Sequence, residues 1–165
     1  KCPYGIRTQW TSSMKKRNAL ILVVAIAIIV AGSFFYVDQN KLPEGADPHN
    51  QLQVSNGKIV YAENCASCHG KNLEGQPNWR TPLREGGLPA PPHDAKGHTW
   101  HHPDRFLFDY TKLGGKKLAP ATFKSNMPGF EDKLSDGQIW AVLSFIKSTW
   151  PEEIRRRHAQ RNQSK

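Results

Sequence analysis

Cysteine and methionine are scarce in this chain. Three cysteines and two methionines occur in 165 residues. A zinc site asks for four ligands, commonly from two Cys/His pairs. Only Cys2 lies outside the single C-x-x-C, on the far side of a hydrophobic run. No βαβ pattern surrounds that C-x-x-C, so a thioredoxin-like redox motif lacks its context. Internal repeats are absent. Charge is absent from residues 19–37 (ALILVVAIAIIVAGSFFYV), and acid from residues 1–18.

The formal net charge of +9 is placed unevenly. Lys1, Arg7, Lys15, Lys16 and Arg17 load the first 18 residues. Arg155, Arg156, Arg157, Arg161 and Lys165 outweigh Glu152 and Glu153 at the other end. The region between is nearly neutral. A basic balance confined to the ends does not point to nucleic acid.

What stands out is Cys65-Ala66-Ser67-Cys68-His69. C-x-x-C-H is the attachment signature of a c-type haem. On a helix, positions i, i+3 and i+4 share a face. Cys65 and Cys68 can therefore add their thiols to the vinyl groups of one macrocycle while His69 offers an imidazole nitrogen to the iron. The motif occurs once, so one covalent haem c is expected.

The run at 19–37 would span about 28 Å as a helix, close to the ~30 Å hydrocarbon core of a bilayer. Lys15-Lys16-Arg17 precede it, and Asp38, Glu44 and Asp47 follow it. The positive-inside bias puts the N-terminus in the cytoplasm and the rest across the membrane. A cleavable signal peptide is the competing reading, with small residues Ala31-Gly32-Ser33 at the cleavage site. Phe34, Phe35, Tyr36 and Val37 prolong the apolarity and suit an interfacial anchor. Met14 before the basic cluster opens a good targeting segment, so residues 1–13 could be upstream sequence.

The expected organisation is a basic cytoplasmic N-terminus (1–18), a transmembrane anchor (19–37), a Pro/Gly-containing linker (38–50), a haem domain (51–150) and a basic C-terminal tail (151–165). A helix is expected from Gln51 to about Ser67. A second spans Pro103 to Leu113, with Phe106, Leu107, Tyr110 and Leu113 at helical spacing. A third starts at Ser135, with Gln138 as its capping-box partner, and is stopped by Pro151. Its apolar stripe is Ile139, Val142, Leu143 and Ile146. The Gly- and Pro-rich stretch from Gly70 to about Thr99 should hold little regular structure. Lys116 to Phe130 reads as a second loop.

Three stretches resemble the class I c-type cytochromes in that family's order: GKIVYAENCASCHG at 57–70, NMPGF at 126–130 and LSDGQIWAVLSFI at 134–146. The resemblance covers about residues 51–150. It implies an all-α, class I cytochrome c-like domain of about three helices around one covalent haem, here with one N-terminal transmembrane helix. It also implies electron transfer, and haem attachment on the outer side of a bacterial membrane. In the family, a glycine on the first helix lets the last helix cross closely, a place Gly57 would take. A proline carbonyl holds the ligand histidine's second ring nitrogen; Pro82, Pro89, Pro91 and Pro92 compete, with Pro91 favoured.

Met127 is the candidate sixth ligand, since the other methionine, Met14, precedes the hydrophobic run. Thioether ligation raises the iron potential. The expected function is therefore an electron carrier, not an enzyme, with His69 and Met127 as axial ligands. Expected partners are redox proteins, either respiratory membrane complexes or soluble periplasmic proteins. The expected location is the bacterial inner membrane, single-pass, with the haem domain in the periplasm. The alternative is a haem enzyme or sensor with a labile Met127 and a copper-binding loop made of His93, His98, His101 and His102. No spacing among those histidines fixes a metal geometry, and solvent-exposed loop histidines are the simpler reading.

Overall fold

The computed structural model describes residues 18, 20–29, 44–120 and 122–163. It divides into two units, 1–41 and 42–165. In the first unit, residues 20–29 are helical and every one of their side chains is exposed. The rest of the expected anchor, residues 19 and 30–37, lies outside the described residues, as do most of 1–18 and residues 38–43. Among the described residues, no helix is long and apolar enough to cross a membrane.

The regular elements of the second unit are all helices, with no strand among its described residues. Its elements are α1 (Gln51–Asn64), α2 (Ala66–His69), a 3₁₀ turn (Thr99–His101), α3 (Asp104–Leu113), α4 (Gly115–Leu118), α5 (Asp136–Ser148) and α6 (Glu152–Gln163). Between α2 and the 3₁₀ turn there is no helix, as the Gly/Pro content of that stretch suggested.

Local sequence starts each long helix. Asn50 caps α1 by accepting the Gln53 amide. Ser135 and Gln138 form a full capping box at α5, satisfying donors that a helix start leaves free. The expected helix into the haem motif breaks at Cys65, which separates α1 from α2.

The core is Val60, Tyr61, Leu73, Phe108, Leu134, Ile139, Val142, Leu143, Ile146 and Trp150. Helices α1 and α5 cross with their backbones touching. A Cβ on Gly57 would run into the Ala141 carbonyl and come within 3.0 Å of the Phe145 Cβ. Beside the crossing, the Ser144 hydroxyl donates to Gln53 Oε1 (2.8 Å), and both side chains are fully buried. Helix α3 meets α5 through Phe108 stacked on Trp140, ring centroids 4.2 Å apart. Its buried side chains are Phe108 and Thr111. Phe106, one of the four residues at helical spacing, is 38% exposed and stacks on His102.

Two stretches expected to lie outside the domain are docked on it. In the linker, Ala46 packs against the core, and its carbonyl accepts from Lys147 Nζ (2.8 Å). Gln53 Nε2 donates to the Gly45 carbonyl (2.7 Å). At the other end, Pro151 ends α5 but the chain re-enters a helix, α6. That helix buries His158, whose Nε2 donates to the His102 carbonyl (2.9 Å). Asn162 Oδ1 accepts the Asp104 amide (2.7 Å), capping α3 from 58 residues away. A composition of arginines around one inward histidine carries no sequence signal for this docking. The basic end is thus a packed helix rather than a tail.

Candidate haem site

Helix α2 is a single turn, and it carries the motif. The amides of Cys68 and His69 both donate to the Cys65 carbonyl (3.1 and 2.9 Å). This turn puts Cys65, Cys68 and His69 on one short arc. Gly70 closes it at φ 81°, a conformation that suits a residue without Cβ. The Gly70 carbonyl accepts from Tyr61 Oη (2.8 Å), tying the motif to α1. Burial, then the nearby Cys65 and Glu74, hold the Tyr61 phenol above its ordinary range, so it stays a donor.

Both thiols are free. Cys68 is exposed and Cys65 half-buried. Burial, helped by Cys68 and opposed by Lys133, pushes the Cys65 thiol up to about 11. Neither is tied up in a disulfide, as thioether formation requires.

His69 is 8% exposed. Its Nδ1 lies 2.9 Å from the Pro91 carbonyl. A carbonyl only accepts, so Nδ1 carries the proton and Nε2 keeps its lone pair. Burial lowers the His69 pKa and so favours the neutral ring, partly offset by that same hydrogen bond. A neutral imidazole with Nδ1–H pinned and Nε2 free is the form that binds a metal. The choice among four prolines falls on Pro91. The donor set therefore fits a covalent haem with a proximal histidine.

Met127 sits on a separate loop, half-buried, and the backbone fixes that loop. Its carbonyl accepts from the Gly115 amide (3.0 Å) and its amide donates to Ser125 Oγ (3.3 Å). Ser125 Oγ in turn accepts from Tyr110 Oη (2.8 Å). Just beyond, Phe130 and Glu131 donate to the Lys112 carbonyl at the end of α3 (2.9 and 3.0 Å). The loop is stitched to α3 and α4.

The four loop histidines separate. His93 is half-buried. Its ring stacks on His69, centroids 4.0 Å apart, and its Nδ1 is 2.6 Å from Thr99 Oγ1. Its carbonyl accepts from Trp150 Nε1 (2.7 Å). Burial holds it well below the usual histidine range. No sequence spacing signalled this contact, which depends on the path of the 70–98 loop. His98 and His101 are exposed and His102 is half-buried around the 3₁₀ turn. Among the described residues, no group of three or more His, Cys, Asp or Glu is arranged to hold a metal ion.

The chain resembles known proteins over the same region. The chain is 32% identical over 107 residues to a thiosulfate dehydrogenase of Stutzerimonas stutzeri (strain A1501), covering 64% of this chain and 30% of that protein. It is 29% identical over 112 residues to the cbb3-type cytochrome c oxidase subunit CcoP of Rhodobacter capsulatus, covering 68% and 34%. The match thus spans about a third of the length of these curated relatives. No solved structure matches. The cytochrome c family profile matches residues 54–150, from α1 to the end of the α5 region, with the C-x-x-C-H turn, the Pro91 contact and the Met127 loop inside it. The chain belongs to the cytochrome c family.

Proposed function

We propose that this protein is a membrane-anchored single-electron carrier with one haem c, attached through Cys65 and Cys68 and ligated by His69 and Met127. The observation that carries this is the His69 ring: its Nδ1 is held by the Pro91 carbonyl at 2.9 Å, leaving Nε2 for iron. When bound, the haem supplies a one-electron ferric/ferrous couple. The chain's own residues do the rest. Pro91 fixes the tautomer and rotation of His69. The hydrogen-bonded 125–131 loop would hold the Met127 thioether as the second protein ligand and so keep other ligands off the iron. Such a site moves electrons rather than transforming a substrate, and thioether ligation sets a raised potential.

The apolar run at 19–37 and its basic flank support a single span, with the haem domain on the periplasmic side of a bacterial inner membrane. The exposure of every described side chain from Leu20 to Ile29 agrees with a lipid-facing role. Partners are redox proteins. Likeness to an oxidase subunit favours a respiratory membrane complex among them, with soluble periplasmic proteins as the other class. The dehydrogenase relative shares under a third of its length with this chain, too little to carry its reaction across.

The test is Met127→His. The variant should keep a six-coordinate, low-spin haem but show a markedly lower potential, because imidazole favours ferric iron more than thioether does. An unchanged potential with an unchanged spectrum would remove Met127 from the iron. In parallel, replacing Cys65 and Cys68 with alanine should abolish haem staining on a denaturing gel.

A further inference from the structure

The 3₁₀ turn at Thr99–His101 is bracketed by His98 and His102, whose rings stack on or bond to each other and to His101 and Phe106 rather than to His69. His98 Nε2 and His102 Nε2 lie 2.9 Å apart. Their rings are steeply inclined, at 78°, with centroids 4.7 Å apart. Two imidazoles hydrogen-bonded end to end along one axis at that separation would put their centroids about 5.2 Å apart. The observed spacing is shorter, so the two ring axes are not collinear.

The pair has the separations of two ligands on one metal ion. Two nitrogens each about 2.05 Å from one ion lie about 2.9 Å apart at a right angle and about 3.3 Å apart at a tetrahedral angle. At the right angle the ring centroids would be about 4.5 Å apart, close to the observed value. The spacing therefore fits cis positions of a tetragonal ion and not a tetrahedral one. Tetragonal geometry with imidazole ligands is the preference of Cu(II), which also heads the affinity order of first-row divalent ions.

The surroundings agree. His98 is exposed and His102 half-buried, so the remaining positions are open to water. His102 is lowered by burial, then by His98, His101 and Arg161, which keeps its ring unprotonated. The turn is rigid. Its Thr99 is buried and bonded to His93, and the His102 carbonyl is anchored by His158.

We propose that His98 and His102 form a Cu(II) site through their Nε2 atoms, with water completing a square-planar shell. It stands independently of the haem ligation proposed above.

The experiment titrates Cu(II) into the oxidised, haem-loaded full chain against a weak competing chelator, and follows the copper by electron paramagnetic resonance. The expected result is one tight site per chain with an axial copper signal carrying hyperfine structure from two nitrogens. Both His98→Ala and His102→Ala should weaken binding about tenfold or more. His98→Gln, which keeps bulk and polarity, should do the same. His49→Ala, at an exposed histidine elsewhere, should leave it unchanged. Zn(II) should bind about tenfold more weakly than Cu(II). Haem staining and the haem spectrum should be the same in every variant, since the anchoring contact at His102 uses its backbone carbonyl. Tight copper binding that survives in the His98/His102 double variant would overturn the proposal. So would equal affinity for Zn(II) and Cu(II), or no tighter binding in the native chain than in the double variant.

Discussion

Gly57→Ala tests the α1–α5 crossing on which the haem domain is built. On an isolated helix the change should help by about 1 kcal/mol, because glycine is the poorer helix former. Here the added Cβ meets the Ala141 carbonyl and the Phe145 Cβ. The first of these is backbone, so no rotamer change relieves it, and the helices must part by roughly 1 Å. A gap of about 0.5–1 Å already forfeits a quarter to a half of a dispersion contact. The same movement pulls on the buried bond from Ser144 to Gln53, now 2.8 Å long. Losing it would strand polar atoms at about 1–3 kcal/mol. Overpacking of this kind costs about 1–3 kcal/mol by itself. After the helix-propensity gain, a net loss of about 2–4 kcal/mol is expected. Urea unfolding of the haem-loaded domain, followed by far-ultraviolet circular dichroism, measures it. Ser55→Ala, two residues away on the exposed face, is the control and should change stability by less than about 0.5 kcal/mol. A Gly57→Ala domain as stable as the control would show that the two backbones are not in contact.

Lys147→Met should cost about 2–3 kcal/mol, below the usual range for a broken buried pair because Asp104 keeps some solvent. The lysine is 9% exposed and bonds Asp104 Oδ2 at 2.7 Å, so its removal leaves a poorly compensated carboxylate; a shifted urea midpoint with unchanged slope would show this. His158 gives a pH signature. Burial lowers its pKa in the folded state despite Asp104 beside it. The unfolded chain then binds the proton first, so this contribution is whole above about pH 6.5 and is lost as pH falls below it. His158→Gln should flatten the fall in stability between pH 7 and 5; an unaltered slope would refute the assignment. Finally, the native protein should stay in the membrane fraction through high salt and alkaline carbonate and leave only with detergent. Recovery from the periplasm with a start near Ser33 would make the hydrophobic run a signal peptide.

The sequence by itself determined whatever is local. Cys65, Cys68 and His69 are adjacent in the chain, so one helical turn suffices to gather them, and spacing alone announces the haem. The α5 capping box is equally local, since Ser135 and Gln138 serve amides within one turn. The apolar stripe of α5 is legible because its period is that of the helix. Tertiary structure decided the choices between equals. Four prolines were chemically able to hold His69, and only the route of the 70–98 loop brings the Pro91 carbonyl to it. His93 looked like its three loop neighbours until the fold laid it on the ligand ring. Residues 44–50 and α6 looked like a linker and a tail because each offers few apolar residues. They are held instead by hydrogen bonds across 101 and 58 residues, from Lys147 to Ala46 and from Asp104 to Asn162. Such bonds join single polar atoms far apart in the chain, and so leave no periodicity in the sequence to read.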